Sequence, residues 1–291
     1  MADAVAAVGS GEGIGRRAFN AAALAGAPMQ SFEANGVVTA YQKAGRGDPL
    51  VLLHGGEADH SMFDGLAPLL AAHFTVIAYD QRDSGATKNP PSSYSLADLA
   101  DDAAALIKGL GYDRAHVMGT SLGGLIAQAL AARHPGSIDC LILSSTWKVN
   151  KSPLDVNAAA FRTLASYRAD TVGNAPKIAE FFFPPDCLRA RPELIDIFRG
   201  SSRDDGQKAR RGALLAQPVA ADLATFDRPT LLLAGSGDRL IPNAETFALA
   251  RDLACVETTT IADVGHVASI QAPERVAEAV TAFLNSKQKA A

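Results

Sequence analysis

Val117-Met118-Gly119-Thr120-Ser121-Leu122-Gly123-Gly124-Leu125 is the stretch from which the rest of this 291-residue chain is read. A short apolar run leads into Gly119-x-Ser121-x-Gly123, and a helix-forming run over 126–133 follows. Strand, sharp turn and helix in that order predict a strained backbone at Ser121 that lifts its hydroxyl above a sheet edge, where it is a candidate nucleophile. Helix and strand pack closely at such a turn, so the flanking positions must be small and Gly119 and Gly123 have a steric role. The helix starts directly after Ser121, so its unpaired N–H groups and positive dipole end face any oxyanion formed there.

Working outward, 32–43 alternates around Asn35-Gly36, a hairpin signal. Residues 50–53 form a continuous apolar run, as a strand covered on both faces would, and end in His54-Gly55-Gly56-Glu57. A helix is predicted over 62–72 and a strand over 74–78, which runs into Asp80-Gln81-Arg82-Asp83-Ser84-Gly85. Ser95-x-x-Asp98 is a capping box for a helix over 96–109, and 140–144 reads as another buried strand. From Trp147 to Asp227 the strand–helix rhythm stops, and short helical patterns are broken by Pro153, Pro176, Pro184-Pro185, Pro192 and Pro218. It returns with a strand at 230–234, Gly235-Ser236-Gly237-Asp238, a helix at 243–253, a strand at 256–261, Gly265-His266 and a helix at 274–285. The expected organisation is an N-terminal extension (1–29), a doubly wound core (30–146 and 228–287) and a helical cap (147–227).

Bulk properties narrow the function classes. With 48% apolar and 20% charged residues the chain has ample material for one large core. A net charge of −4 gives no reason to expect nucleic acid, and no apolar run reaches the length of a membrane span. Cys140, Cys187 and Cys255 are odd in number and scattered, which fits neither a disulfide framework nor a metal motif and makes a cytoplasmic setting the default. The alternative is export through a twin-arginine signal: Arg16-Arg17, an apolar stretch over 21–25, then Ala25-Gly26-Ala27, although Pro28 disfavours cleavage there.

Ligands of open α/β sheets collect at the carboxyl ends of the strands, and the notable polar residues all fall there. A serine hydroxyl needs a base in hydrogen-bond reach, and the base needs a group that fixes its tautomer. His266, after a glycine in a post-strand loop, is the candidate base and is not expected to be a buried core histidine. Asp238 is the candidate carboxylate. Asp263 follows the wrong strand and Asp139 starts one. Leu122 N–H is one expected oxyanion donor, and Gly56 N–H, after the 50–53 strand, is the second. His54 would orient that loop, and Arg82 would pair with a carboxylate and brace the sheet.

His54-Gly55-Gly56, Asp80-Gln81-Arg82-Asp83-Ser84-Gly85, Gly119-Thr120-Ser121-Leu122-Gly123-Gly124, Gly237-Asp238 and Gly265-His266 together resemble the α/β-hydrolase superfamily over most of 32–287. Within it the chain looks most similar to the 3-oxoadipate enol-lactonase and cofactor-free haloperoxidase-like esterase group. The resemblance implies a mostly parallel eight-stranded sheet with a helical cap after the sixth strand. It also implies a serine hydrolase of carboxylic esters or lactones, with Ser121 as nucleophile, His266 as base, Asp238 as acid, Gly56 and Leu122 as oxyanion donors, and neither metal nor organic cofactor. Two departures stand out: Glu57-Ala58-Asp59-His60 replaces the usual proline after His-Gly, and Asp83 replaces a glycine of the Arg-Gly-x-Gly loop. Both predict unusual charge near the pocket mouth.

The cap would set specificity, with Glu57, Trp147 and Phe182 as pocket candidates; core packing competes for the 181–183 phenylalanine run. Twelve Lys/Arg against ten Asp/Glu over 147–227 favour a small-molecule substrate bearing a carboxylate. C–C bond hydrolysis of a ring-fission product, a triad-bearing small-molecule receptor and a cofactor-independent oxygenase are the alternatives.

Overall fold

The computed structural model describes residues 27–201, 203–216, 219 and 221–288. Most of the N-terminal extension, including the Arg16-Arg17 signal, lies outside the described residues. The strands are β1 (Gln30–Ala34), β2 (Val37–Gly45), β3 (Pro49–Leu53), β4 (Thr75–Tyr79), β5 (Ala115–Thr120), β6 (Ile138–Ser144), β7 (Thr230–Gly235) and β8 (Val256–Ile261). They form one eight-stranded sheet in the order β1-β2-β4-β3-β5-β6-β7-β8. β2 runs antiparallel to β1 and β4, and every other pairing is parallel. The hairpin between β1 and β2 turns at Asn35 (φ 54°) and Gly36 (φ 71°), the two positive φ values that a two-residue turn of this hand requires.

The helices in chain order are α1 (Ala67–Leu70), α2 (Leu96–Gly109), α3 (Leu122–Arg133), α4 (Pro153–Tyr167), α5 (Thr171–Phe182), α6 (Pro185–Ala190), α7 (Asp205–Ala216), α8 (Asn243–Phe247), α9 (Ala268–Gln271) and α10 (Pro273–Gln288). The pleat of each central strand divides its side chains between two cores. Val51, Leu53, Ile77, Val117 and Leu141 pack with α2 and α3. Leu50, Leu52, Val76, Met118 and Ile142 pack with α1 and α10. Covering on both faces is why these strands read as unbroken apolar runs. The α2 capping box forms as predicted: Ser95 Oγ accepts from Asp98 N at 3.3 Å, and Asp98 Oδ2 accepts from Ser95 N at 2.7 Å.

Two predicted helices are shorter than expected. The 62–72 segment is a 3₁₀ turn, His60–Phe63, followed by the single turn α1. Pro68 lacks an N–H and is tolerated only in a first turn, so the helix begins at Ala67. The 243–253 segment is α8 followed by a 3₁₀ turn, Ala248–Arg251. Helices α4 to α7 intervene between β6 and β7, where the strand–helix rhythm lapses in the sequence. Gln128, buried in α3, ties the start of this insertion to the core. Its Nε2 donates to Trp147 O at 2.8 Å, and its Oε1 accepts from Val149 N at 3.1 Å.

Candidate active site

Ser121 caps α3 with φ 56° and ψ −118°, a left-handed conformation that a non-glycine residue adopts only when its surroundings enforce it. The enforcement is visible. Ser121 N donates to Ser144 O at 3.0 Å, extending the β5–β6 ladder by one bond. Ser121 O accepts from Gly124 N at 2.9 Å, Leu125 N at 3.3 Å and Thr146 Oγ1 at 2.8 Å. These bonds hold the Ser121 backbone in its strained conformation. The steric role of the glycines is also met: a Cβ on Gly119 would lie 2.2 Å from Gly123 O, and one on Gly123 would lie 2.1 Å from Leu53 O. Leu122 is the first residue of α3, so its N–H precedes the first intrahelical bond.

The turn after β7 is pinned to the loop after β8, since Gly237 N donates to Val264 O at 2.8 Å. This brings Asp238 and His266 together, and His266 Nδ1 lies 2.9 Å from Asp238 Oδ2. Asp238 Oδ1 accepts from Leu240 N at 3.0 Å and Ile241 N at 2.8 Å, so the carboxylate is oriented before it meets the imidazole. A carboxylate oxygen accepts, so Nδ1–H donates in this bond and Nε2 is the ring nitrogen turned away from Asp238. The rival acids are elsewhere: Asp263 is exposed, and Asp139 is half-exposed beside Arg114. His266 is 2% exposed, contrary to the expectation that a loop histidine escapes burial. The end of α5 covers it: Phe182 O accepts from His266 N at 2.9 Å, and the two rings meet edge to face at 5.6 Å.

The loop after β3 packs against the serine turn. A Cβ on Gly55 would lie 3.8 Å from Ser121 Cβ, and one on Gly56 would lie 3.7 Å from Leu122 Cδ2. His54 is fully buried, with Nε2 3.2 Å from Gln81 N and Nδ1 2.8 Å from Gly55 O. A backbone N–H only donates and a carbonyl only accepts, so the tautomer is fixed: Nε2 accepts, and Nδ1–H donates. Burial, then the nearby charge of Arg211, lowers the His54 pKa to about 3, which keeps the ring neutral. The peptide whose carbonyl it grips is the one that carries Gly56 N–H.

Three arginines that the sequence did not single out cross from the insertion to the core. Arg211 on α7 donates Nε to Gly56 O at 2.9 Å, Nη1 to Arg82 O at 2.9 Å and Nη2 to Gln81 Oε1 at 3.0 Å. Gln81 Nε2 in turn donates to His54 O at 3.0 Å. Arg203 donates to Asp83 O and Ala58 O, both at 2.6 Å, and to Ser84 Oγ at 2.8 Å. Arg210 grips the Asp83 carboxylate in two bonds of 2.7 and 2.8 Å. Burial, then the adjacent Arg203 charge, brings Arg211 down to about 10, so it stays cationic at neutral pH.

These contacts correct one expectation. Asp83 does not charge the pocket mouth: it is 2% exposed and holds Arg210. Of the insertion's positive charges, Arg203 and Arg211 bond backbone carbonyls of the core, Arg210 grips Asp83, and Arg168 pairs with Glu57 at 2.8 Å. Of the pocket candidates, Glu57 is half-exposed and ion-paired to Arg168. Trp147 is a core residue, 1% exposed, with its indole N–H donated to Lys151 O at 3.0 Å. Phe182 alone of these three touches His266. Arg82 pairs with Asp102 through bonds of 2.6 and 3.0 Å, as expected of a brace. Asp59, His60 and Asp80 have ligand atoms close enough to hold a cation. Asp80 already accepts from His60 N, His60 Nδ1 and Ala86 N, each at 2.8 Å.

A family model described as the alpha/beta hydrolase fold matches residues 48–273. A RutD protein of Caulobacter sp. (strain K31), named provisionally as a carbamate hydrolase, is 30% identical over 226 residues, covering 75% of this chain and 83% of its own. The structure of Est816, an N-acyl homoserine lactone degrading enzyme, superposes with a TM-score of 0.76 at 26% identity, covering 87% of this chain and all of its own. A thermophilic esterase from Thermogutta terrifontis superposes with a TM-score of 0.76 at 27% identity, covering 89% of this chain and 99% of its own. Ester, lactone and carbamate chemistry are thus all represented among proteins of comparable similarity.

Proposed function

The chain belongs to the alpha/beta hydrolase fold family, and on that premise we propose that it is a serine hydrolase cleaving a carboxylic ester or lactone through an acyl-enzyme. The observation that carries the reading is the His266–Asp238 pair, 2.9 Å apart, whose carboxylate is fixed by two backbone N–H groups at the sheet edge where Ser121 caps α3. Ser121 Oγ attacks the carbonyl carbon while His266 Nε2 takes its proton. Asp238 holds the tautomer and stabilises the imidazolium. Gly56 N–H and Leu122 N–H receive the developing oxyanion. The intermediate collapses as His266 returns the proton to the leaving alcohol, and water then attacks the acyl group by the same route. Residues 147–227 act as a cap in this reading, with Phe182 closing over His266. A carbamate presents the same kind of carbonyl, and the RutD relative makes it a second substrate class to test.

The test is to mix the protein with an activated short-chain ester, a matched lactone and a matched carbamate, and separately with a fluorophosphonate. Sustained turnover and a mass-spectrometric label on Ser121 are expected. Ser121→Ala should abolish both with an unchanged melting transition; undiminished turnover by that variant would remove Ser121 from the mechanism. Asp238→Asn should lower kcat by about 10⁴-fold, as loss of the tautomer-fixing carboxylate does in triad enzymes.

A further inference from the structure

We propose that Arg211, on α7, is a positioning residue whose bonds hold the oxyanion loop in the shape that presents Gly56 N–H. The inference rests on the hydrolase reading above, in which Gly56 N–H is an oxyanion donor. Donors contribute to catalysis when they stand ready before the charge develops, and a displacement near 1 Å can cost about 100-fold in rate. What holds Gly56 ready is therefore as consequential as Gly56 itself.

Bonds from Arg211 reach this loop directly and through the Gln81 side chain, and the His54 imidazole adds a further hold. Directly, Arg211 Nε–H donates to Gly56 O at 2.9 Å and so fixes the peptide leaving Gly56. Indirectly, its Nη2 donates to Gln81 Oε1 at 3.0 Å, and that orients the Gln81 amide so that Nε2 donates to His54 O at 3.0 Å. Gln81 N donates to His54 Nε2 at 3.2 Å, leaving Nδ1–H to grip Gly55 O at 2.8 Å on the peptide that enters Gly56. Both peptide planes flanking Gly56 are thus held, one by the guanidinium and one by the imidazole behind it. Glycine has no side chain to restrict its own rotation, so the loop depends on these external bonds.

The choice of arginine follows from the acceptors. They are two carbonyls and one amide oxygen arranged around a plane, which suits a rigid guanidinium fork and not a point-like ammonium. Arg211 is 4% exposed, and among the described contacts it bonds no carboxylate. Burying a cation this way is costly unless its donors are satisfied, so the core loops favour α7 only in the seated position. Without the guanidinium, Gly56 O loses this donor and the Gln81 amide is released. The loop then no longer presents Gly56 N–H in a single orientation.

The test compares Arg211→Gln, Arg211→Lys and Arg210→Gln with the parent protein. Arg210→Gln unties α7 from Asp83 without touching the His54–Gly56 chain. With an activated ester, Arg211→Gln should lose about 10- to 100-fold in kcat with little change in KM, and fluorophosphonate labelling of Ser121 should slow in parallel. Arg211→Lys should recover little of this, because an ammonium cannot span the three acceptors. Added guanidinium ion should partly restore Arg211→Gln, and Arg210→Gln should keep the parent kcat. Equal kcat losses in the Arg210 and Arg211 variants would overturn the inference, since cap stability alone would then account for the effect. So would an unchanged labelling rate in Arg211→Gln. Turnover that survives Ser121→Ala would instead sink the underlying hydrolase reading, so the two failures are distinguishable.

Discussion

Gly123 and Arg211 both bear on the loop that follows β3, one through a limit on how close atoms can come and the other through directed hydrogen bonds. At Gly123 the loop's own backbone fills the space where a side chain would begin, with Leu53 O 2.1 Å from the position of a Cβ. At Arg211 the same loop is gripped from a helix 155 residues further along the chain. The first contact joins the end of β3 to the first turn of α3 and leaves no room for a methyl group. The second joins the core to an inserted segment, and its bonds can be exchanged for water. Steric exclusion at the serine turn and directed hydrogen bonding at the α7 seat are therefore two kinds of contact that substitutions can tell apart.

Substitutions can break or sharpen that contrast. The largest effect is expected from Gly123→Ala. Its methyl would meet the backbone of Leu53 and His54, which cannot rotate away, so destabilisation at or beyond the upper end of the roughly 1–3 kcal/mol range for overpacked cores is expected. Urea unfolding measures it. A fully stable, active alanine variant would show that the serine turn is as adjustable as the α7 seat.

Asp83→Asn comes next and removes the negative charge and one of the two oxygens that Arg210 grips. A loss of about 1–3 kcal/mol is expected at pH 7, toward the lower figure because Arg210 is partly solvated. Burial alone would raise the Asp83 carboxyl, but hydrogen bonds from Arg210 and Asn89 outweigh it and hold it below the ordinary 3.8. A depressed carboxylate contributes stability that is fully present above its unfolded pKa and is lost as pH falls through its folded pKa. The difference between parent and variant should accordingly stay level from pH 7 to about 4 and close below that. Thermal melts across that range test this, and a gap that persists at low pH would assign the effect to packing.

The smallest effect belongs to Arg168→Gln, which cuts the pair with Glu57. Both side chains are substantially exposed, so less than about 1 kcal/mol is expected, shrinking further in high salt. A larger loss would mean that the insertion is held at its rim as firmly as at Arg211.

The two regions also differ in how far they could be read from residues alone. The strand–serine–helix turn was legible because every feature it needs lies within a few positions: the apolar run of β5, small residues on both sides of Ser121, and an immediate helix. Apolar runs bounded by turn residues likewise located most strands. The rise and return of the strand–helix rhythm located the insertion, and the order Ser121, Asp238, His266 placed three candidates at one sheet edge. The α7 seat was not legible. Nothing near Arg211 marks it apart from Arg210 or Lys208, and a charge count over the insertion weighs all three alike.

The sequence by itself determined the doubly wound sheet and the strained turn at Ser121, because periodicity and close packing act between neighbouring residues or along one strand. Only the tertiary structure decided that His266 lies buried under Phe182, that Trp147 is core rather than pocket wall, and that Asp83 holds Arg210. Each of these depends on which partner a side chain meets across many intervening residues. Polar and charged groups choose partners by direction and desolvation in three dimensions, and neither leaves a period in the chain.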